Sequence, residues 1–138
     1  MTEALPASEK TSVPADADPV LQYVVVRNDL GWPLGAMCAQ AAHAAIAGVT
    51  RGLRSDDAAM RGLAEQYLAP SNIAHMRKCV LAAPDESSLL GLAASLHNKD
   101  IPHHLWLEMP EKVPSALATA PMRKSVLAPF FKKLRLLK

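Results

Sequence analysis

The amino-acid sequence predicts an α/β fold, a three-layer sandwich in which a mixed four-stranded β-sheet is flanked by helices on both faces. Three observations predict it. Apolar runs that read as strands alternate with helical patterns in the order β-α-α-β-α-β-β-α. The first strand passes through a glycine-containing loop into an alanine-rich helix, the opening of a β-α-β crossover that is right-handed where strands run parallel. The chain's 138 residues, 50% hydrophobic, suit one compact core, below the size at which chains divide into domains.

Residues 1–19 mix Pro, Ala, Ser, Thr and acids without periodicity, too little apolar surface to offset ordering entropy, and read as a disordered acidic, proline-rich tail ahead of a single domain over 20–138. Leu21 to Arg27 is rich in β-branched and aromatic residues, a buried strand ended by the turn signal Asn28-Asp29. Gly31, Pro33 and Gly35 hold a loop. Alanines then give Ala36 to Ala47 strong helix propensity, with Gly48 as the stop.

Ser55 can cap a second helix, with Asp56 and Asp57 in its positive first turn and Met60, Leu63, Ala64, Tyr67 and Leu68 on one stripe, up to Pro70. Lys78 to Ala83 reads as a strand. Pro84-Asp85-Glu86 starts a third helix whose Leu89, Leu92, Ala93 and Leu96 face the core, and Ile101-Pro102 leads into strand His103 to Glu108. Ser115 to Ala120 is a short strand between Pro114 and Pro121. A C-terminal helix then presents Val126, Phe130 and Leu134, with Pro129 as a kink because a proline inside a helix removes a hydrogen bond.

Composition excludes several function classes. No run of 18 uninterrupted apolar residues could span a membrane, and the N-terminus has neither a basic-then-apolar signal nor an Arg-rich transit pattern, so the expected location is the cytoplasm. Cys38 and Cys79 have neither the spacing nor the partners for zinc and read as small core hydrophobes. The net charge of +2 conceals an asymmetry: residues 1–20 carry four acids against one base, leaving fourteen bases against nine acids on the rest. The last seventeen residues hold Arg123, Lys124, Lys132, Lys133, Arg135 and Lys138 with no acid, which suits a polyanionic partner, although charge alone favours a solvated helix face.

In open α/β sheets ligands gather at the carboxyl ends of strands, so Asn28–Gly35 and the segment after Leu107 are the natural site. Gly31-x-x-x-Gly35 opening a helix invites an anion, but it is neither a dinucleotide fingerprint nor a P-loop. Gln40 and His43, three apart, share a helix face and can act together, or be structural. His103 and His104 point to opposite faces of a strand and cannot share a metal through one face. Glu108, at a strand's carboxyl end, is placed for a general base or water-orienting group. Trp32 and Trp106 could stack on bases, though Trp106 in an apolar strand reads as core.

Arg27, Asp29, Leu30, Gly35, Ala39, Gln40, His43 and Ala44 fall at the spacing of Arg-x-Asp-Leu, a glycine loop and Ala-Gln-x-x-His-Ala. With Pro102-His103, Pro121 and the closing Leu134-Arg135-Leu136-Leu137, the chain resembles the type 2 peptidyl-tRNA hydrolases over Leu21 to Lys138, most closely their divergent domain-containing branch. The resemblance implies hydrolysis of the ester between a peptide and its tRNA, recycling tRNA in translation without metal or cofactor. It implies Glu108, His43, Gln40 and Ser115 as catalytic residues, and Asp29 and Gly35 as substrate-binding residues; the basic Lys132 and Lys133 are expected, from their charge, to bind the acceptor stem. The expected partner is peptidyl-tRNA or tRNA, with a homodimer as the expected assembly and no membrane. Leu34 and Ala36 stand where the family has lysines. A second reading is therefore a catalytically inactive tRNA- or protein-binding module on the same fold.

Overall fold

The computed structural model describes residues 17–138. Its described part is an open mixed sheet in the order β3-β4-β1-β2-β6, with β5 pairing the start of β1. The strands are β1 (Val20–Arg27), β2 (Lys78–Ala83), β3 (His103–Glu108), β4 (Val113–Thr119), β5 (Met122–Arg123) and β6 (Arg135–Leu136); the helices are α1 (Leu34–Leu53), α2 (Ala58–Leu68), α3 (Glu86–Asn98) and the single turn α4 (Lys124–Leu127). β1 and β2 run parallel, and β4 lies antiparallel to both β1 and β3. The α/β sandwich is as expected, and the two short strands β5 and β6 extend its four long ones. The expected tail falls outside the described residues except for its last positions, where Asp18 accepts hydrogen bonds from the Ser125 N–H and hydroxyl, each at 2.8 Å.

β1 is central and buried on both faces, so it reads as a continuous apolar run rather than an alternating one. Its odd positions Leu21, Tyr23 and Val25 pack with Leu89, Leu92 and Leu96 of α3 and with Leu127 and Phe131. Its even positions Val24 and Val26 pack with Ala44 of α1 and Ala116 and Ala118 of β4. Asp57 rather than Ser55 caps α2, its Oδ1 accepting from the N–H groups of Ala59 at 2.8 Å and Met60 at 3.2 Å.

α1 does not stop at Gly48. It runs to Leu53, and its buried positions, Gln40, Ala44, Gly48 and Gly52, recur every four residues as one stripe. A methyl group at Gly48 would lie 2.6 Å from the Thr119 carbonyl oxygen, and one at Gly52 would lie 3.0 Å from the Ala64 Cβ. The glycines thus serve close approach to β4 and α2 rather than termination. Fully buried Gln22 secures this docking, its Nε2 donating to the Ala45 carbonyl at 2.8 Å and the Thr119 carbonyl at 2.9 Å. Sheet and helix are pinned together, and Gln40 and His43 are carried into place.

The clash at Gly48 sets a testable stability difference. Helix propensity favours Ala over Gly by about 1 kcal/mol, but a Cβ pressed on backbone that cannot rotate away costs more. Gly48→Ala is expected to destabilise the protein by about 1–3 kcal/mol net. Gly62→Ala in α2, with open space around the new methyl, should stabilise by up to about 1 kcal/mol. Urea midpoints of the two variants check the opposite signs.

The expected C-terminal helix is one turn, followed by a 3-10 turn over Ala128–Phe130 and then β6 against β2. Pro129 offers no N–H to continue α4 and sits at the start of the 3-10 turn instead. Leu127 and Phe131 are consequently the buried anchors and Val126 is exposed. Cys38 is likewise exposed on α1 and is not a core residue, whereas Cys79 is half-buried against the α3-side core.

Candidate active site

The carboxyl ends of β1, β2 and β3 and the amino end of β4 meet at one end of the sheet, with Arg27 opposite Ala83 and Glu108 opposite Val113. Arg27 organises that end. Only 8% exposed, it donates from Nε and Nη2 to the two carboxylate oxygens of Asp29 at 3.0 and 2.9 Å, and from Nη1 to the Pro114 carbonyl at 3.0 Å and to Glu86 at 3.3 Å. One guanidinium thus joins the loop after β1, the start of α3 and the start of β4; a planar fork is suited to this, and an ammonium is not.

The forked hydrogen bond from Arg27 holds the Asp29 carboxyl below its ordinary value and raises that of Arg27. A carboxyl depressed in the folded state contributes stability that is present above its unfolded value near 3.8 and is lost as pH falls through the lower folded value. Asp29→Asn should remove that increment and flatten the stability-versus-pH curve below about pH 4, which acid titration followed by circular dichroism measures. At neutral pH the same variant leaves the buried guanidinium half-paired, at an expected cost of about 1–3 kcal/mol.

Beside Arg27, β4 carries a bulge. Trp106 is opposite Ala116 and Leu107 is opposite Pro114, so Ser115 has no partner on β3 and its side chain is re-aimed. The Ser115 hydroxyl donates to Gln40 Oε1 at 2.6 Å, with Ser115 fully buried and Gln40 4% exposed. Two residues far apart in sequence form a closed pair that fixes which way the amide faces. With Oε1 taken, the Gln40 NH2 faces away from the hydroxyl, and among the described residues no protein acceptor engages it.

His43, on the flank of α1 rather than its buried stripe, is exposed and lies flat on Trp106, with ring centroids 4.6 Å apart and planes within 20°. The Trp106 indole N–H donates to Glu108 Oε1 at 3.0 Å. Trp106 is therefore not plain core: on the edge strand β3 it links two of the expected catalytic residues.

Of the expected site residues, the structure gathers Asp29, Gln40, His43, Glu108 and Ser115 at this end. Gly35 sits in the first turn of α1 with open space around it, and it is Gly31, at φ +70°, whose conformation calls for glycine. Lys132 and Lys133 do not join the cluster. They line a groove with Ser88, Leu92 and Ser95 of α3, on the other face of the sheet from α1. Leu34 stands 75% exposed at the start of α1. Sequence reasoning missed Arg27 and Trp106 as organisers; an arginine closing an apolar strand two residues before an aspartate was the available signal for the first.

The sequence profile described as Peptidyl-tRNA hydrolase PTH2 matches residues 20–137. The chain belongs to the type 2 peptidyl-tRNA hydrolase family. Among its relatives, the Homo sapiens protein named "Putative peptidyl-tRNA hydrolase PTRHD1" is 40% identical over 129 residues, covering 90% of this chain and 86% of the relative. The Mus musculus protein of the same name is 40% identical over 124 residues, covering 86% and 83%. The matched span of the type 2 hydrolase profile includes every element of the sheet and the whole Gln40–Ser115 cluster. No described helix is long and apolar enough to cross a membrane. Among the described residues no group of three or more His, Cys, Asp or Glu side chains could hold a metal ion.

Proposed function

We propose that this chain is a peptidyl-tRNA hydrolase acting in the cytoplasm to recycle tRNA, with the ester carbonyl bound at Gln40. The observation that carries the reading is the buried Gln40 amide, whose oxygen is held by Ser115 at 2.6 Å so that its N–H groups are left to donate. A preorganised donor in a water-poor site, aimed where negative charge develops, is what acyl transfer requires.

In this mechanism Glu108, steadied by the Trp106 indole, takes a proton from water as the hydroxyl oxygen bonds to the ester carbon. The carbonyl becomes a tetrahedral oxyanion hydrogen-bonded to Gln40 Nε2. The bond from carbon to the ribose oxygen then breaks, and the ribose oxygen receives the proton held by Glu108, leaving a free peptide acid and a tRNA hydroxyl. Arg27 does not touch the ester; neutralised by Asp29, it keeps Pro114 and hence the Ser115 bulge in place.

One observation favours the rival reading of a binding module without turnover: Leu34, exposed where the family carries a lysine, brings no cation to the ester. In the hydrolase reading, the Gln40 donor makes that cation dispensable. Peptide release from N-blocked aminoacyl-tRNA by purified protein separates the two. Release that scales with enzyme concentration and falls in Glu108→Gln supports the hydrolase; tRNA binding with no release supports the module.

A further inference from the structure

We infer that His43, backed by Trp106, is a stacking platform for an unpaired nucleobase at the 3′ end of the RNA, and not the group that activates water. The inference rests on the hydrolase reading for the RNA's direction, since the platform lies one helical turn from the ester-binding amide.

What the structure fixes about His43 is its ring plane. The imidazole is sandwiched on one side only, at 4.6 Å and 20° from the indole, and the residue is otherwise exposed. Neither ring nitrogen hydrogen-bonds another described residue. A histidine serving as a general base is ordinarily oriented through its second nitrogen by a carboxylate or carbonyl, which also selects the tautomer. Here the nearby carboxylate, Glu108, is taken by the indole N–H instead.

Trp106 is in turn braced. The His104 ring lies against it at 6.0 Å and 50°, and His104 Nδ1 accepts from Arg51 Nε at 3.2 Å. Arg51, His104, Trp106 and His43 thus form a row of planar groups along the junction of α1 with edge strand β3, ending beside Gln40. Single-stranded RNA is held by such platforms because every base presents a π-face. Gln40 and His43, three apart on a helix, have Cβ atoms about 5–6 Å apart. That is the scale separating a nucleoside's base from the ester on its own ribose, so a base stacked on His43 and an ester at Gln40 can belong to the same terminal nucleotide.

The test is the affinity of an RNA hairpin carrying a single-stranded CCA overhang, against the same hairpin made blunt, for wild type, His43→Ala, His43→Phe and Trp106→Leu. His43→Ala should weaken overhang binding about 10-fold, His43→Phe should recover most of that loss because the ring is restored without the nitrogens, and Trp106→Leu should lose it again. Binding of the blunt hairpin should not distinguish the variants. In the hydrolysis assay the alanine effect should fall on KM, with Phe recovering it. Equal loss for Phe and Ala, an overhang preference that survives His43→Ala, or a collapse of kcat shared by Phe and Ala would overturn the inference. Absence of turnover in wild type would defeat the hydrolase reading alone, because the overhang comparison still decides the platform.

Discussion

Gln40→Leu is expected to lower kcat for N-blocked aminoacyl-tRNA by about 10²- to 10³-fold, the usual cost of removing one preorganised oxyanion donor. Leucine matches glutamine in bulk, so the α1 stripe of Gln40, Ala44, Gly48 and Gly52 still packs. What is lost is the donor and the acceptor that Ser115 uses, the second costing about 1–2 kcal/mol of stability. Thermal unfolding of the same preparation therefore separates a folding defect from a chemical one. Ser115→Ala should cost kcat less, about 10-fold, because the amide remains but is free to turn; Ser115→Thr, which keeps the hydroxyl, should recover part of it. If Gln40 were only a packing residue, both variants would lose stability and keep kcat for the folded fraction.

The second large effect is at Glu108. Glu108→Gln should reduce kcat by about 10²- to 10⁴-fold, the range for loss of a positioned general base. The substitution is close to silent structurally: the amide oxygen still accepts from the Trp106 N–H that holds Glu108 at 3.0 Å. Stability and tRNA affinity should therefore stay near wild type while release falls. Glu108→Asp tests position, since withdrawing the carboxylate by one methylene breaks its reach to the indole as well as to water. A Glu108→Gln enzyme releasing peptide at the wild-type rate would show that another group takes the proton.

How legible this was in the sequence depended on how local each signal is. The bounds of β2 and β3 match their expected residues, Pro102 setting off β3, and the start of α3 falls within the expected Pro84-Asp85-Glu86 because Asp85 caps it, accepting from the Ser88 N–H at 2.8 Å. The C-terminal segment misled because Val126, Phe130 and Leu134 recur with helical spacing. Pro129 and the open edge of β2 decide otherwise, and that edge is visible only once the sheet is assembled. Gly48 looked like a helix stop for a similar reason: nothing local reveals the Thr119 carbonyl that a methyl group would strike.

The site divides along the same line. The pattern from Arg27 to Ala44 pointed to Gln40 and His43, and strand-end position pointed to Glu108. The contacts that the structure gives them depend on long-range partners. Ser115 reaches Gln40 only because the β3–β4 register slips after Trp106. His43 meets Trp106 only because small residues let α1 settle onto β4 beside the edge strand. Only charge marks Lys132 and Lys133 in the sequence, and charge carries no information about which face of the sheet a residue will occupy; they lie beside α3.

The central claim is that the Ser115-oriented Gln40 amide supports ester hydrolysis in a site whose family lysine positions are Leu34 and Ala36. It is tested most directly by single-turnover release of peptide from N-blocked aminoacyl-tRNA with enzyme in excess, comparing wild type with Gln40→Leu. The account predicts first-order release that saturates with enzyme concentration, and a Gln40→Leu rate at least about 10²-fold slower in a protein that remains folded. Wild-type release no faster than buffer, or equal rates for the two proteins, would contradict it.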